Sequence, residues 1–66
     1  MLAPREVEAL RYLAQGLTDL QAAHRMGITK YTVETYVRRI KAKRGVSSRA
    51  ELLRLAWDLD APRREP

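Results

Sequence analysis

The stretch TDLQAAHRMGITKYTVETYVRRIKAKRG, residues 18–45, decides how this chain folds. Thr18 is a natural helix N-cap and Gln21 three residues on completes a capping box, so a helix is predicted over residues 19–26. Ala22, Ala23 and Met26 give that helix a narrow apolar face, whose small side chains suit a close crossing, and Gly27 breaks it. Thr29 can cap again, with Ile28 before the cap and Val33 at the fourth helical position forming a hydrophobic staple. The next helix is predicted over residues 30–44 and stops at Gly45. Val33, Val37 and Ile40 recur at i, i+4 and i+7 on its buried side. At about 100° per residue the opposite side carries Tyr31, Glu34, Thr35, Arg38 and Lys41. Two short helices joined by only Gly27, Ile28 and the Thr29 cap form the pattern of a helix-turn-helix.

On the N-terminal side, Pro4 suits the first position of a helix over residues 4–15, and Gly16 ends it. Val7, Leu10, Ala14 and Leu17 are its predicted apolar face. On the C-terminal side, Ser48 and Glu51 form another capping box, opening a helix over residues 49–59. Leu52, Leu55, Ala56 and Leu59 cluster on one face of it, while Leu53 and Trp57 make a separate stripe. Residues 61–66 hold two prolines, two arginines and no apolar pattern, so they are expected as a flexible tail. No segment alternates with period two, and no hairpin signal occurs. The expected fold is all-α: one compact four-helix domain over residues 1–60 containing a helix-turn-helix.

Composition removes most other functions. With no cysteine and a single histidine, His24, neither a disulfide framework nor a structural zinc site is expected, and His24 reads as a surface residue. No cofactor and no small-molecule ligand are expected. No Cys/His pair, Ser/His/acid set or glycine-rich phosphate loop can be assembled, so the chain is not expected to be an enzyme. No long apolar run is present, and a soluble, cytoplasmic protein without membrane contact is expected. The charge, by contrast, is concentrated. Residues 30–49 carry seven bases against Glu34 alone, whereas residues 1–29 balance and residues 50–66 are slightly acidic. A basic stripe on one element is the footprint of a polyanion binder, although a merely solvated basic face would look the same.

Turn and charge select the same helix, which implicates double-stranded DNA as partner. A helix-turn-helix lays one helix across the phosphates and projects the next into the major groove. Arg38 is the leading base-contact candidate, since Arg paired with guanine is the commonest specific contact, with phosphate as the competing role. Thr35 suits a thymine methyl or a base edge; Glu34 suits a cytosine amino group, or else repels phosphate or pairs with Arg38. Thr29, Lys30, Thr32, Arg39 and Lys43 are assigned to phosphates, with Tyr31 and Tyr36 as added hydroxyls or packing groups.

The chain also resembles the LuxR-type (GerE-like) helix-turn-helix family. The likeness rests on residues 2–6 (LAPRE), 14–18 (AQGLT), 26–29 (MGIT), Thr32-Val33 and residues 45–52 (GVSSRAEL), and runs from Leu2 to about Ala56. It implies the DNA-binding domain of a bacterial transcriptional regulator, in which the third helix reads the major groove and the fourth commonly mediates dimerisation. Full-length members commonly carry a receiver or ligand-binding domain ahead of it. A homodimer on DNA is thus expected, with Leu53 and Trp57 as interface candidates, the competing role for both being to complete the core against the first helix, and with RNA polymerase as a further candidate partner. Departures are Ala3 where Ser or Thr is usual, Glu34 in place of a frequent Lys, Tyr36 in place of His, and Arg44 in place of Leu. Competing readings are a sigma-factor-like promoter-recognition module, and a protein-interaction module that keeps the fold without DNA contacts.

Overall fold

Four α-helices form in the computed structural model, which describes residues 1–60 and side chains as far as Asp58: α1 (Pro4–Ala14), α2 (Asp19–Met26), α3 (Lys30–Arg44) and α4 (Arg49–Asp60). There is no strand among the described residues. The expected tail and the Leu59 side chain lie outside the described residues.

The caps explain where each helix begins. Thr18 accepts from the Gln21 amide at 3.1 Å while the Gln21 side chain accepts from the Thr18 amide at 2.9 Å, the full reciprocal box. Thr29 accepts from the Thr32 amide at 3.1 Å. At α4 the Glu51 amide donates to Ser48 Oγ at 3.1 Å, but the Glu51 carboxylate turns back to the Ser47 amide at 3.3 Å, one residue earlier than the usual box. Ala3 offers no side-chain acceptor to α1, an omission that costs about 1 kcal/mol and leaves only the half in which Glu6 Oε1 accepts from the Ala3 amide at 2.9 Å.

Glycine at the α2–α3 turn has a conformational reason. Gly27 sits at φ +68, and the Ile28 and Gly27 amides return to the Ala23 and His24 carbonyls, a Schellman closure. A Cβ there would meet nothing within 4 Å, so the requirement is backbone handedness and not space. Gly27→Val is expected to lose about 2 kcal/mol, the left-handed penalty for a branched residue, or about 10 °C of melting temperature for a domain this size. Gln15→Ala, on an exposed site, serves as control, and equal melts for the two would remove the turn from the argument.

α1 is the keystone, packing against α2, α3 and α4, while α2 packs on α3. The core gathers Leu10 and Leu13 of α1, Ala22 and Ala23 of α2, Val33, Val37 and Ile40 of α3, and Leu52 and Ala56 of α4, with Leu2 at the edge. Ile28 leans on this core half-buried beside the fully buried Val33, consistent with the staple. The expected α1 face is corrected. Ala14 is exposed and Val7 and Leu17 are only half-buried, whereas Ala9, Leu10 and Leu13 are buried together with Glu6. The true stripe runs through a charged residue, and that carboxylate is what hides it from an apolar-periodicity count.

Candidate nucleic-acid interface

α3 sits on the core by Val33, Val37 and Ile40, which are 0 to 8% exposed. This seat fixes its outer face. Thr35 lies nearly opposite the buried rail at about 100° per residue, flanked by Tyr31, which is 70% exposed, and by the exposed Arg38. Glu34 and Lys41 are half-buried on one flank; on the other lie the half-buried Thr32 and Tyr36 and the exposed Arg39.

Hydrogen bonds narrow what each group can do. Thr35 Oγ1 donates to the Tyr31 carbonyl at 3.1 Å, so its proton is used within the helix. Thr29 and Thr32 share a hydroxyl contact of 3.0 Å at the N-terminus of α3. That contact uses one of their two protons and leaves the other to donate outward, next to the positive end of the helix dipole. Glu34 pairs with Lys30 at 3.7 Å and not with Arg38, the partner offered as one alternative by spacing. An exposed pair at that distance contributes little, about 0.5 kcal/mol or less, so neither group is locked.

Sorting the seven bases of residues 30–49 by partner shows where free positive charge lies. Lys30 pairs with Glu34, Lys43 with Glu6 at 2.8 Å, and Arg49 with Asp19 at 3.1 Å. Arg38, Arg39, Lys41 and Arg44 make no ion pair among the described residues. All four lie in the second half of α3. Of these seven, the bases without an ion pair among the described residues are therefore all on α3.

Lys43 differs from the other bases of α3, because its Nζ reaches a buried acceptor. Glu6 is 3% exposed at its side chain and accepts from both Lys43 Nζ and the Ala3 amide, so no buried side-chain polar atom among the described residues is orphaned. The Lys43 hydrogen bond, then the Ala3 amide, hold the Glu6 carboxyl below the ordinary glutamate range, with burial opposing and the charges of Lys43 and Arg39 assisting. Glu51 is likewise lowered, first by the Ser47 amide and then by the Ser48 hydroxyl. Next to Glu6, Arg5 donates from one nitrogen to Glu8 at 2.7 Å and from the other to the Met26 carbonyl at 3.1 Å. Sequence reasoning missed both Arg5 and Glu6. A carboxylate in step with Leu2, Ala9, Leu10 and Leu13 was the only available signal.

The two residues expected at an interface are parted. Leu53 is half-buried against the core, whereas Trp57 is 74% exposed and is the largest apolar side chain left to solvent on α4. His24 is exposed, and no cluster of metal-binding side chains occurs among the described residues. No described helix is long and apolar enough to cross a membrane.

The family described as bacterial regulatory proteins, luxR family, matches residues 1–56. The HTH-type quorum sensing-dependent transcriptional regulator VjbR of Brucella ovis is 39% identical over 59 residues, covering 89% of this chain and 23% of that protein. The transcriptional regulatory protein MctR of Rhizobium johnstonii is 37% identical over 57 residues, 86% of this chain and 27% of its own. The nitrate/nitrite response regulator protein NarL of Escherichia coli is 40% identical over 50 residues, 76% of this chain and 23% of its own. The chain thus spans about a quarter of the length of the curated relatives it matches. No solved structure matches it significantly.

Proposed function

We propose, since the chain belongs to the luxR family of bacterial regulatory proteins, that it binds double-stranded DNA in a sequence-specific way and serves transcription regulation. The observation that carries this is the coincidence on α3 of a buried apolar seat, an outward side bearing Thr35 and Arg38, and the bases Arg38, Arg39, Lys41 and Arg44, which make no ion pair among the described residues. α3 enters the major groove, and α2 lies across the backbone.

Within that reading, Arg38 and Thr35 contact bases, with Glu34 beside them. Thr29, Lys30, Thr32 and Arg39 hold phosphates. Lys43 is bound first to Glu6, so its part at a phosphate is secondary to its part in the fold. Two copies pair through α4 on two-fold-related half-sites, with Trp57 as the central contact.

Selection from a random duplex pool tests the function, with the winning site then measured against random duplex at several salt concentrations. Binding to both that weakens steeply with salt is expected, because neutralising phosphates releases counterions. A chain that keeps the fold only for protein contact would bind neither. Arg38→Ala should weaken the selected duplex by about 1–3 kcal/mol and relax preference at one position. Equal losses on selected and random duplex would make Arg38 a phosphate contact instead.

A further inference from the structure

Arg5 and Glu6 are consecutive residues in the first turn of α1, yet each holds the end of a different arm of the helix-turn-helix. Arg5 donates to the carbonyl of Met26, the last residue of α2 before the Gly27 turn. Carbonyls in the last turn of a helix have no partner within it. The Gly27 and Ile28 amides serve His24 and Ala23, so the Met26 oxygen falls to Arg5. The other guanidinium nitrogen is fixed by Glu8 at 2.7 Å. A planar fork supports both contacts together, which the point charge of a lysine does not. Glu6, buried to 3% exposure, meets Lys43 in the last turn of α3. One end of α2 and the far end of α3 are therefore tied to adjacent residues, 21 and 37 positions away in sequence.

Resting on α3 as the DNA-reading helix, we infer that Arg5 and Glu6 are positioning residues for sequence discrimination: together they set the pitch of α3 against α2 without touching DNA. Phosphate contacts tolerate a small tilt of the helix, because they are spread along the backbone and carry no sequence information. Paired base contacts do not tolerate it, since each requires an aligned donor and acceptor. Loosening the tie should therefore lower the ratio of selected to random affinity while leaving random affinity alone.

The test measures binding of Arg5→Ala, Arg5→Lys and Glu6→Gln to the selected duplex and to random duplex, well below each variant's melting temperature, with salt slopes for both. Arg5→Ala and Glu6→Gln are expected to lower the ratio at least about fivefold, the low end for one lost base contact. For Arg5→Ala random affinity and salt slope should stay unchanged and Arg5→Lys should fall in between, while for Glu6→Gln the loss should appear on the selected duplex, because the Lys43 ammonium it frees can only add to random binding. An unchanged ratio in all three variants overturns the inference. So does a parallel fall on both duplexes with a shallower salt slope, which would place Arg5 on a phosphate. Should Arg5→Ala fail to fold, Arg5→Lys decides, since it keeps the charge and the Glu8 contact. A parent chain that selects no sequence would sink the DNA reading itself, a result distinct from either.

Discussion

Lys43→Ala is expected to lower unfolding stability by about 2 kcal/mol near neutral pH. Removing one partner of a fully buried pair costs about 3–5 kcal/mol because the remaining charge is stranded. Here Glu6 is 3% exposed but Lys43 is 40% exposed, so water screens the pair and the lower figure applies. The corresponding fall in melting temperature is about 10 °C. The pH dependence gives a second readout with a definite sign. The Glu6 carboxyl titrates lower when folded than when unfolded, mainly through Lys43. Its contribution is therefore complete above the unfolded value, about pH 4.3 for glutamate, and is lost as pH falls through the folded value. The gap between parent and Lys43→Ala should narrow in that acidic window, because protonation of Glu6 ends the ion pair in the parent too. Chemical denaturation at several pH values checks this. Equal stability, or a gap constant down to the acid limb, would mean that the ion pair does not hold α3. A salt slope on DNA reduced by about one would show a phosphate contact besides.

Sequence and structure agree where local chemistry is decisive. Thr18, Thr29 and Ser48 cap the helices they were expected to cap, and Gly27 and Gly45 end α2 and α3 in left-handed conformation. These are signals within a few residues of one another, legible without any tertiary knowledge. The buried rail of α3 was legible for the same reason, since Val33, Val37 and Ile40 repeat at helical period with nothing charged between them in that stripe. The α1 face was legible only at Leu10, which is buried, and Val7, which packs half-buried against the core. Glu6 interrupts its apolar row, and a glutamate is almost never fully buried unless paired. Its partner, Lys43, stands 37 residues away, and nothing local announces it. Arg5 was obscured similarly, because its acceptor is a backbone carbonyl, a group every residue carries. On the outer side of α3, spacing anticipated the exposure of Arg38, while Thr35 is half-buried, and of the two bases four residues from Glu34 the structure pairs it with Lys30. Lys30 and Arg38 both stand four residues from Glu34, and periodicity alone cannot choose between them.

Trp57→Ala is expected to leave the fold nearly intact and to abolish cooperative binding to a duplex with two half-sites. Leu52 and Ala56 already seat α4 on α1, and Leu53 and Leu55 lean inward, so the core does not need the indole. With Trp57 74% exposed, its removal should alter stability by no more than about 0.5 kcal/mol, as for other surface changes. An exposed tryptophan on a surface that meets its own copy across a two-fold axis is well suited to be the central contact. One indole buries about 150–250 Å², far short of the roughly 800 Å² per partner of a stable interface. The free protein should accordingly be monomeric, and pairing should appear only where two half-sites about one helical turn apart hold the copies together. Loss of a central contact is expected to cost about 2 kcal/mol, roughly a thirtyfold loss of affinity for the double site, with single half-site affinity unchanged. Sedimentation of the free protein and titration of single and double sites measure both quantities. Retained cooperativity in the variant would place the pairing surface elsewhere, and outright unfolding would return Trp57 to the core.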